Sequence, residues 1–447
     1  MKKVDELPSE LLALHRQGET PSENWLTGAE HELLCVTESG AAPSFEGDRG
    51  IEQVLRGICE EVKGLHPVLE TGKLIGLKGR GGSVTLEPGG QVELSGAAHP
   101  DVHRLAAETS CYQTALETVA ESLKLDFFAM GVRPVLPVSR IPRMPKARYR
   151  VMEEVMPTLG ARSLEMMFST GTIQCNLDYS DESDMALKYH CGALVSPILT
   201  ALVANSPYQE GRRTGLMSTR QAIWDQTATM RSGRFEWMVE NKLTYEDYAR
   251  FAANQPLLFR KEGDQWGRAD QRSFLDHLRS GDVQTDDWEL HLTSIFPEIR
   301  LKHMLELRGA DAGTGDLVIA VNAFWTGLFY DHEAIKTVLD HLDFIQPDQW
   351  ERLAQACQKD GLAALVKGLP PVRELARMTV QHAKEGLKRR AIFNEKDEDE
   401  SIWLRPLEDF LELGASPAEL LVARFNDDAL AARSFLCGTV QHSPWLA

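Results

Sequence analysis

Positive charge is the first thing this chain lacks. Its 447 residues hold 48 Lys and Arg against 66 Asp and Glu, a formal net charge of −18. Nucleic acids and anionic membranes need basic surface to displace counterions or meet headgroups, so neither is an expected partner. Cysteine is sparse: Cys35, Cys59, Cys111, Cys175, Cys191, Cys357 and Cys437 are scattered without a C-x-x-C pair. That pattern excludes a dense disulfide framework and points to a reducing compartment. No stretch approaches the roughly 18 apolar residues of a membrane span, and the opening MKKVDELPSELLALHRQ has charges and Pro8 where a signal peptide needs an apolar centre. A soluble, cytoplasmic protein is the expectation.

Familiar nucleotide and metal motifs are missing too. Gly72-Lys73 has Pro67 in place of the first P-loop glycine and Leu74 in place of the hydroxyl. Gly79-Arg80-Gly81 meets Val84 where a dinucleotide fingerprint needs glycine, and His31-Glu32-Leu33-Leu34-Cys35 ends in the wrong ligand for a zincin. What is present is ordinary for a globular chain: 43% hydrophobic and 26% charged residues.

Residues 1–20 read as a short amphipathic helix. GAEHELLCV, KLIGLKGRGG, SVTLEPGG and QVELSG, bounded by glycines, read as antiparallel strands. Periodicity predicts one long helix over 99–129 and an extended loop before a helix near Tyr149. It further predicts a strand through SLEMMFSTGTIQCNLDYS, helices over 184–203, 313–345, 349–388 and 417–434, and a strand near Met304–Arg308. The run 395–400, EKDEDE, reads as a solvated loop. The class is α+β.

Two features carry chemistry. Residues 131–152 hold four prolines and the basic residues Arg133, Arg140, Arg143, Lys146, Arg148 and Arg150 with no acid, reading either as a solvated connector or as guanidinium groups facing an anion. The second is a set of glutamates at strand spacing. Glu30 and Glu32 share a face; Glu87 and Glu93 flank a Pro-Gly-Gly turn; Glu306 is followed by Arg308. Like charges on one face call for cations, and hard Mg²⁺ suits carboxylates without a Cys/His cage. The competing reading is a row of exposed strand faces.

GAEHELL, SVTLEPGGQVELSGA, IPRMPKARYRVM, STGTIQCNLDYS, ALVANSP, STRQAIW, HLTSIFPEIRLK, LELRGAD, AFWTGLFYD and AKEGLKRR, in that order, resemble the glutamate-cysteine ligases of plant and proteobacterial type over roughly residues 24–425. The resemblance implies a glutamine-synthetase-like curved antiparallel sheet funnel surrounded by helices. The layout it implies is an N-terminal arm at 1–23, one catalytic domain at 24–430 and a C-terminal tail at 431–447. It also implies ATP-dependent joining of L-glutamate, through γ-glutamyl phosphate, to L-cysteine, the first step of glutathione synthesis, by a monomer or weak homodimer. By position it assigns Glu30, Glu32, Glu87, Glu93 and Glu306 to Mg²⁺, Gln174 and Asn176 to the substrate and metal zone, and Arg308, Arg148 and Arg220 to phosphate or carboxylate. Trp224 and Trp325 are expected in the core. The chain departs from the family at Leu257-Leu258, where an aromatic is usual, and in having no cysteine between Cys191 and Cys357, so a thiol switch there is not expected. A ligase for another amine and a non-catalytic ion or nucleotide module stand as alternatives.

Overall fold

Alternation in TGAEHELLCVT sets the axis of the molecule. In the computed structural model, which describes residues 7–240, 243–263 and 265–446, this segment is strand β1 (Thr27–Thr37). Successive side chains leave opposite faces of a strand. Ala29, Leu33 and Cys35 therefore leave one face, Ala29 into one core cluster and Leu33 and Cys35 into another, while Glu30 and Glu32 face the other way.

The remaining strands of the sheet are β2 (His66–Glu70), β3 (Lys73–Lys78), β4 (Ser83–Leu86), β5 (Val92–Ser95), β6 (Leu125–Phe128), β7 (Thr172–Leu177), β8 (Ile299–Leu301) and β9 (Leu305–Asp311). They run in the order β8-β9-β7-β1-β5-β4-β3-β2, with β6 beside the second half of β1, and every pairing is antiparallel. The helices that frame the sheet are α1 (Ser9–Gln17), α2 (Ile51–Glu61), α3 (Val102–Leu123), α4 (Ala147–Val155), α5 (Ser163–Ser169), α6 (Glu182–Val203), α7 (Thr219–Asp225), α8 (Gly315–Phe329), α9 (Val372–Arg390) and α10 (Ala429–Leu436). The α+β class with an antiparallel sheet is as expected.

Burial explains the layering. Val84, Leu86, Val92 and Leu94 join Val54, Ile58, Leu116 and Val119 of α2 and α3 behind one half of the sheet. Ile173, Cys175, Leu305 and Leu307 pack on α6 and α8 behind the other. Contrary to the expectation that no stretch approaches a membrane span, helix α6 is long and apolar enough to cross one by composition, yet 89% of that window is buried inside the protein, as befits a core helix. The opposite sheet face is left to α4, α5 and α7, which rim it through Val151, Met152, Met166, Phe168 and Ile223.

Several expected boundaries differ. The helix predicted over 99–129 stops at Leu123, where Lys124 turns left-handed (φ 51), and antiparallel pairing with Leu34–Thr37 of β1 makes the following residues β6. The first part of the strand predicted through SLEMMFSTGTIQ is α5, because a short apolar run fits either period. The helix expected over 313–345 breaks where Asp331 caps a new one at Ala334. That over 349–388 breaks at Gly361 (φ 60), and that over 417–434 at Asn426 (φ 47). A helix at Arg405–Leu413 was not anticipated. Glu400, assigned to a solvated loop, is fully buried and accepts from Val102 N at 2.7 Å and Arg390 Nε at 2.9 Å. The 430/431 boundary lies inside α10, and Val440 beyond it is buried, its carbonyl accepting from Gly315 N at 2.8 Å.

Candidate active site

Cross-strand register builds the site in rows. Directly opposed residues of an antiparallel pair share a face. Thr85, Glu93 and Glu32 align across β4, β5 and β1. Glu30 opposes Gln174, and Asn176, Glu306 and Arg300 align across β7, β9 and β8. Glu87 sits in the turn after β4, closed by Glu87 N to Gln91 O at 2.9 Å; Gly90 there has φ +78, which favours glycine. From the rim, α4 supplies Arg148 and Tyr149, and α7 supplies Arg220 and Trp224.

Glu30, Glu32, Glu87, Glu93, Arg148, Gln174 and Arg308 line one cavity of about 230 Å³, together with Arg300, Tyr149 and Trp224. Glu306, Asn176 and Arg220 lie behind its walls. Asn176 Nδ2 donates to Glu30 Oε1 at 2.9 Å, Arg308 Nη1 donates to Gln174 Oε1 at 2.6 Å, and Arg220 Nη2 donates to the Arg308 carbonyl at 2.8 Å. Trp224 is not a core residue: its ring stands 5.7 Å from the Arg220 guanidinium and 5.6 Å from that of Arg308. Trp325 is buried in the core, as expected.

The glutamates divide by charge balance. Glu306 is 1% exposed; it accepts from Arg300 Nη2 at 2.8 Å and Arg308 Nη1 at 2.6 Å, and Lys302 Nζ lies 3.3 Å away. Burial alone would raise its pKa, but the three cations outweigh it and hold it well below the usual range. Its oxygens are already taken. Among the described residues, no cation lies within ion-pair distance of Glu30, Glu32, Glu87 or Glu93; their partners are Asn176 on Glu30, Thr85 on Glu93 at 2.5 Å and the Tyr149 hydroxyl on Glu87 at 3.1 Å. Burial, then the charges of Glu306 and Glu93, push Glu30 up to about 7; burial, then Glu87, push Glu93 to about 7. Glu32 is raised well above its ordinary value by burial and by Glu87 and Glu93. This half of the face has an unmet need for positive charge. Its donors are all carboxylate oxygens, the set a hard divalent ion takes. Among the described residues, however, no three such side chains close into a ready-made metal cage.

Polar atoms without partners gather around the cavity: Arg148 Nε, Arg220 Nε, Trp224 Nε1 and Asn176 Oδ1. Of the basic strip, only Lys146 and Arg148 serve this region. Lys146 Nζ donates to Leu86 O at 2.8 Å, whereas Arg133 is buried on Cys35 O and Arg143 stacks over Phe168 and pairs with Glu153. Arg300, Tyr149 and Trp224 were missed by sequence reasoning; only the register opposing Arg300 to Glu306 reveals the first. Leu257 and Leu258 are buried and line a separate cavity of about 50 Å³.

Comparison with known proteins decides the family. Residues 26–442 match the model "Glutamate-cysteine ligase family 2(GCS2)". The chain belongs to this glutamate-cysteine ligase family. It is 36% identical over 420 residues to glutamate–cysteine ligase A, chloroplastic, of Oryza sativa subsp. indica, covering 92% of this chain and 83% of that one. The chloroplastic glutamate–cysteine ligase of Nicotiana tabacum is also 36% identical, with 93% and 79% covered. A glutamate–cysteine ligase from Francisella tularensis, solved in complex with AMP, shares the fold at TM-score 0.53 and 12% identity, with 92% and 87% covered. The plant names correct the expected cytoplasmic location: these relatives are chloroplastic, so charge and cysteine usage do not decide the compartment.

Proposed function

We propose that the chain is an ATP-dependent glutamate–cysteine ligase whose reaction runs in the carboxylate and arginine cavity. The observation that carries this reading is the placement of the uncompensated glutamates Glu30, Glu32, Glu87 and Glu93 in one cavity with Arg148, Arg300 and Arg308. Such a cavity holds anions only if added cations balance the acids, which fits Mg²⁺ bound with a nucleotide phosphate chain. Glu30, Glu32, Glu87 and Glu93 are the residues that would hold the ions. Glu306 has a different part, tethering Arg300 and Arg308. Bound Mg²⁺ supplies charge neutralisation at the transferring phosphoryl group.

The chain's own groups do the rest. A γ-carboxylate oxygen of glutamate attacks the terminal phosphorus of ATP, the bond to the bridging oxygen breaks, and ADP leaves. Arg308, fixed by Gln174 and Glu306, stabilises the charge spread over the phosphoryl oxygens, with Arg220 behind it. Arg148, with Nε unpartnered, is placed for a substrate carboxylate. The amine of cysteine then attacks the acyl carbon, the bond from that carbon to the bridging oxygen breaks, and phosphate departs with that oxygen and the proton lost by the nitrogen, leaving γ-glutamylcysteine. No protein nucleophile is required.

ADP release tests the assignment, measured with glutamate and a panel of amines. Cysteine is expected to stimulate turnover above the other amines. Stimulation by another amine and none by cysteine would reject cysteine as acceptor; no glutamate-dependent ADP release would reject the ligase.

A further inference from the structure

Arg220 reaches the cavity wall from the first turn of α7, and the group that fixes this turn is on the side away from the cavity. Asp311, the last residue of β9, is 1% exposed. Its Oδ2 accepts from Asn205 N at 2.8 Å and Ser206 Oγ at 2.6 Å, and its Oδ1 accepts from Ser218 Oγ at 2.8 Å. A serine hydroxyl has one proton to donate. Because both serines spend it on Asp311, their lone pairs are turned toward the helix. Ser206 Oγ accepts from Arg220 N at 3.1 Å, and Ser218 Oγ caps the helix by accepting from Gln221 N at 3.2 Å. One carboxylate thereby orients two hydroxyls, one holding the backbone N–H of the arginine itself and the other that of its neighbour Gln221.

The other end of Arg220 returns to the same strand, through Nη2 on the Arg308 carbonyl at 2.8 Å. Both ends of the side chain are therefore tied to β9, three residues apart. The carboxylate also shapes its surroundings: a Cβ at Gly131 would lie 2.4 Å from Asp311 Cγ. Asn205, Ser206, Ser218 and Asp311, like Arg220 itself, lie outside the cavity lining, behind the wall that Arg308 forms.

We propose that Asp311, acting through Ser206 and Ser218, is a positioning residue that sets Arg220 behind Arg308, the arginine facing the reacting phosphoryl group. The proposal rests on the role given above to Arg308 with Arg220 behind it. Asp311→Asn preserves size but brings an amide N–H against one of the three donors. Misplacement of a charged group by an ångström can cost about 10²-fold in rate.

The test is a double-variant cycle with Asp311→Asn, Arg220→Ala and the pair, measuring kcat and the KM for ATP, glutamate and cysteine separately, with thermal melts as a fold control. Asp311→Asn is expected to lower kcat about 10- to 100-fold, with the KM for cysteine within twofold of wild type. The pair should be no slower than Arg220→Ala within about twofold, because the arginine that Asp311 places is gone. Multiplying losses would overturn the proposal while leaving the role of Arg220 intact. Wild-type kinetics for Arg220→Ala would instead remove the role on which the proposal rests, and the proposal with it. If Asp311→Asn does not fold, Ser206→Ala carries the test, since Asp311 keeps two partners. A several-fold loss of kcat that disappears in the Arg220→Ala background supports the proposal, and a loss that persists there overturns it.

Discussion

Without divalent ions, the carboxylate face should make the folded protein less stable as pH rises through neutrality, and Mg²⁺ should reverse this. Glu93 is 8% exposed and its pKa is pushed up from 4.5 to about 7 by burial and the neighbouring Glu87. At about 1.4 kcal/mol for each tenfold change in proton affinity, its ionisation in the metal-free fold costs about 3 kcal/mol more than in the unfolded chain. The sign is that of an acid with a raised folded pKa. Between about pH 4.5 and 7 the folded state holds more protons than the unfolded one, so stability falls with rising pH across that window and the loss is complete above it. Glu30, also raised to about 7, adds in the same direction. Unfolding entropy of about 2.1 cal/mol/K per residue gives roughly 0.9 kcal/mol per kelvin for a chain of this length, so about 3 °C in Tm for Glu93 alone. Melts at pH 5, 6, 7 and 8, with EDTA or with millimolar Mg²⁺, read this directly. The Mg²⁺-induced rise should be at least about 3 °C at pH 8 and small at pH 5. Glu93→Gln should raise the metal-free Tm at pH 8 and shrink the Mg²⁺ response. A Glu93→Gln variant that melts lower than wild type in EDTA at pH 8, or a Mg²⁺ response independent of pH, refutes the reasoning.

Other outcomes follow from the same geometry. Arg308→Ala should lower kcat about 100-fold or more, as for other losses of a preorganised charge partner, and steady-state kinetics of Arg308→Lys should show poor recovery, because Nη1 alone holds Gln174 and Glu306 and an ammonium has no second nitrogen to present to phosphate. Glu400→Ala leaves Arg390 and the Val102 N–H without their acceptor, so chemical denaturation should show a loss of about 3 kcal/mol with kcat retained at low temperature.

The acidic half of the site was legible because its signal is local. Two-residue spacing puts Glu30 and Glu32 on one face whatever the strand pairs with, and a Pro-Gly-Gly turn returns the chain so that Glu93 can stand opposite Glu32. Strands β1, β3, β4, β5, β7 and β9 were legible for the same reason, whereas β2, β6 and β8 were not. What stayed hidden depends on pairing between distant segments. Nothing in ELRGAD says that Glu306 lies under Arg300 and Lys302; that follows from the β8–β9 register. Trp224 looked like a core residue because most buried tryptophans are, and its place between two guanidinium groups depends on where α7 docks. Glu400 belonged to an acidic run, and only the fold brings Val102 and Arg390 to it. The Asp311 network joins residues more than 90 positions apart, beyond the reach of any periodicity.

The central claim is that this cavity transfers phosphate from ATP to the γ-carboxylate of glutamate before an amine is joined. Glutamate labelled with ¹⁸O in that carboxylate, turned over with ATP, Mg²⁺ and cysteine, tests it most directly. Phosphate carrying one ¹⁸O for each γ-glutamylcysteine formed is the predicted result, and unlabelled phosphate from a reaction that still yields the dipeptide would contradict it.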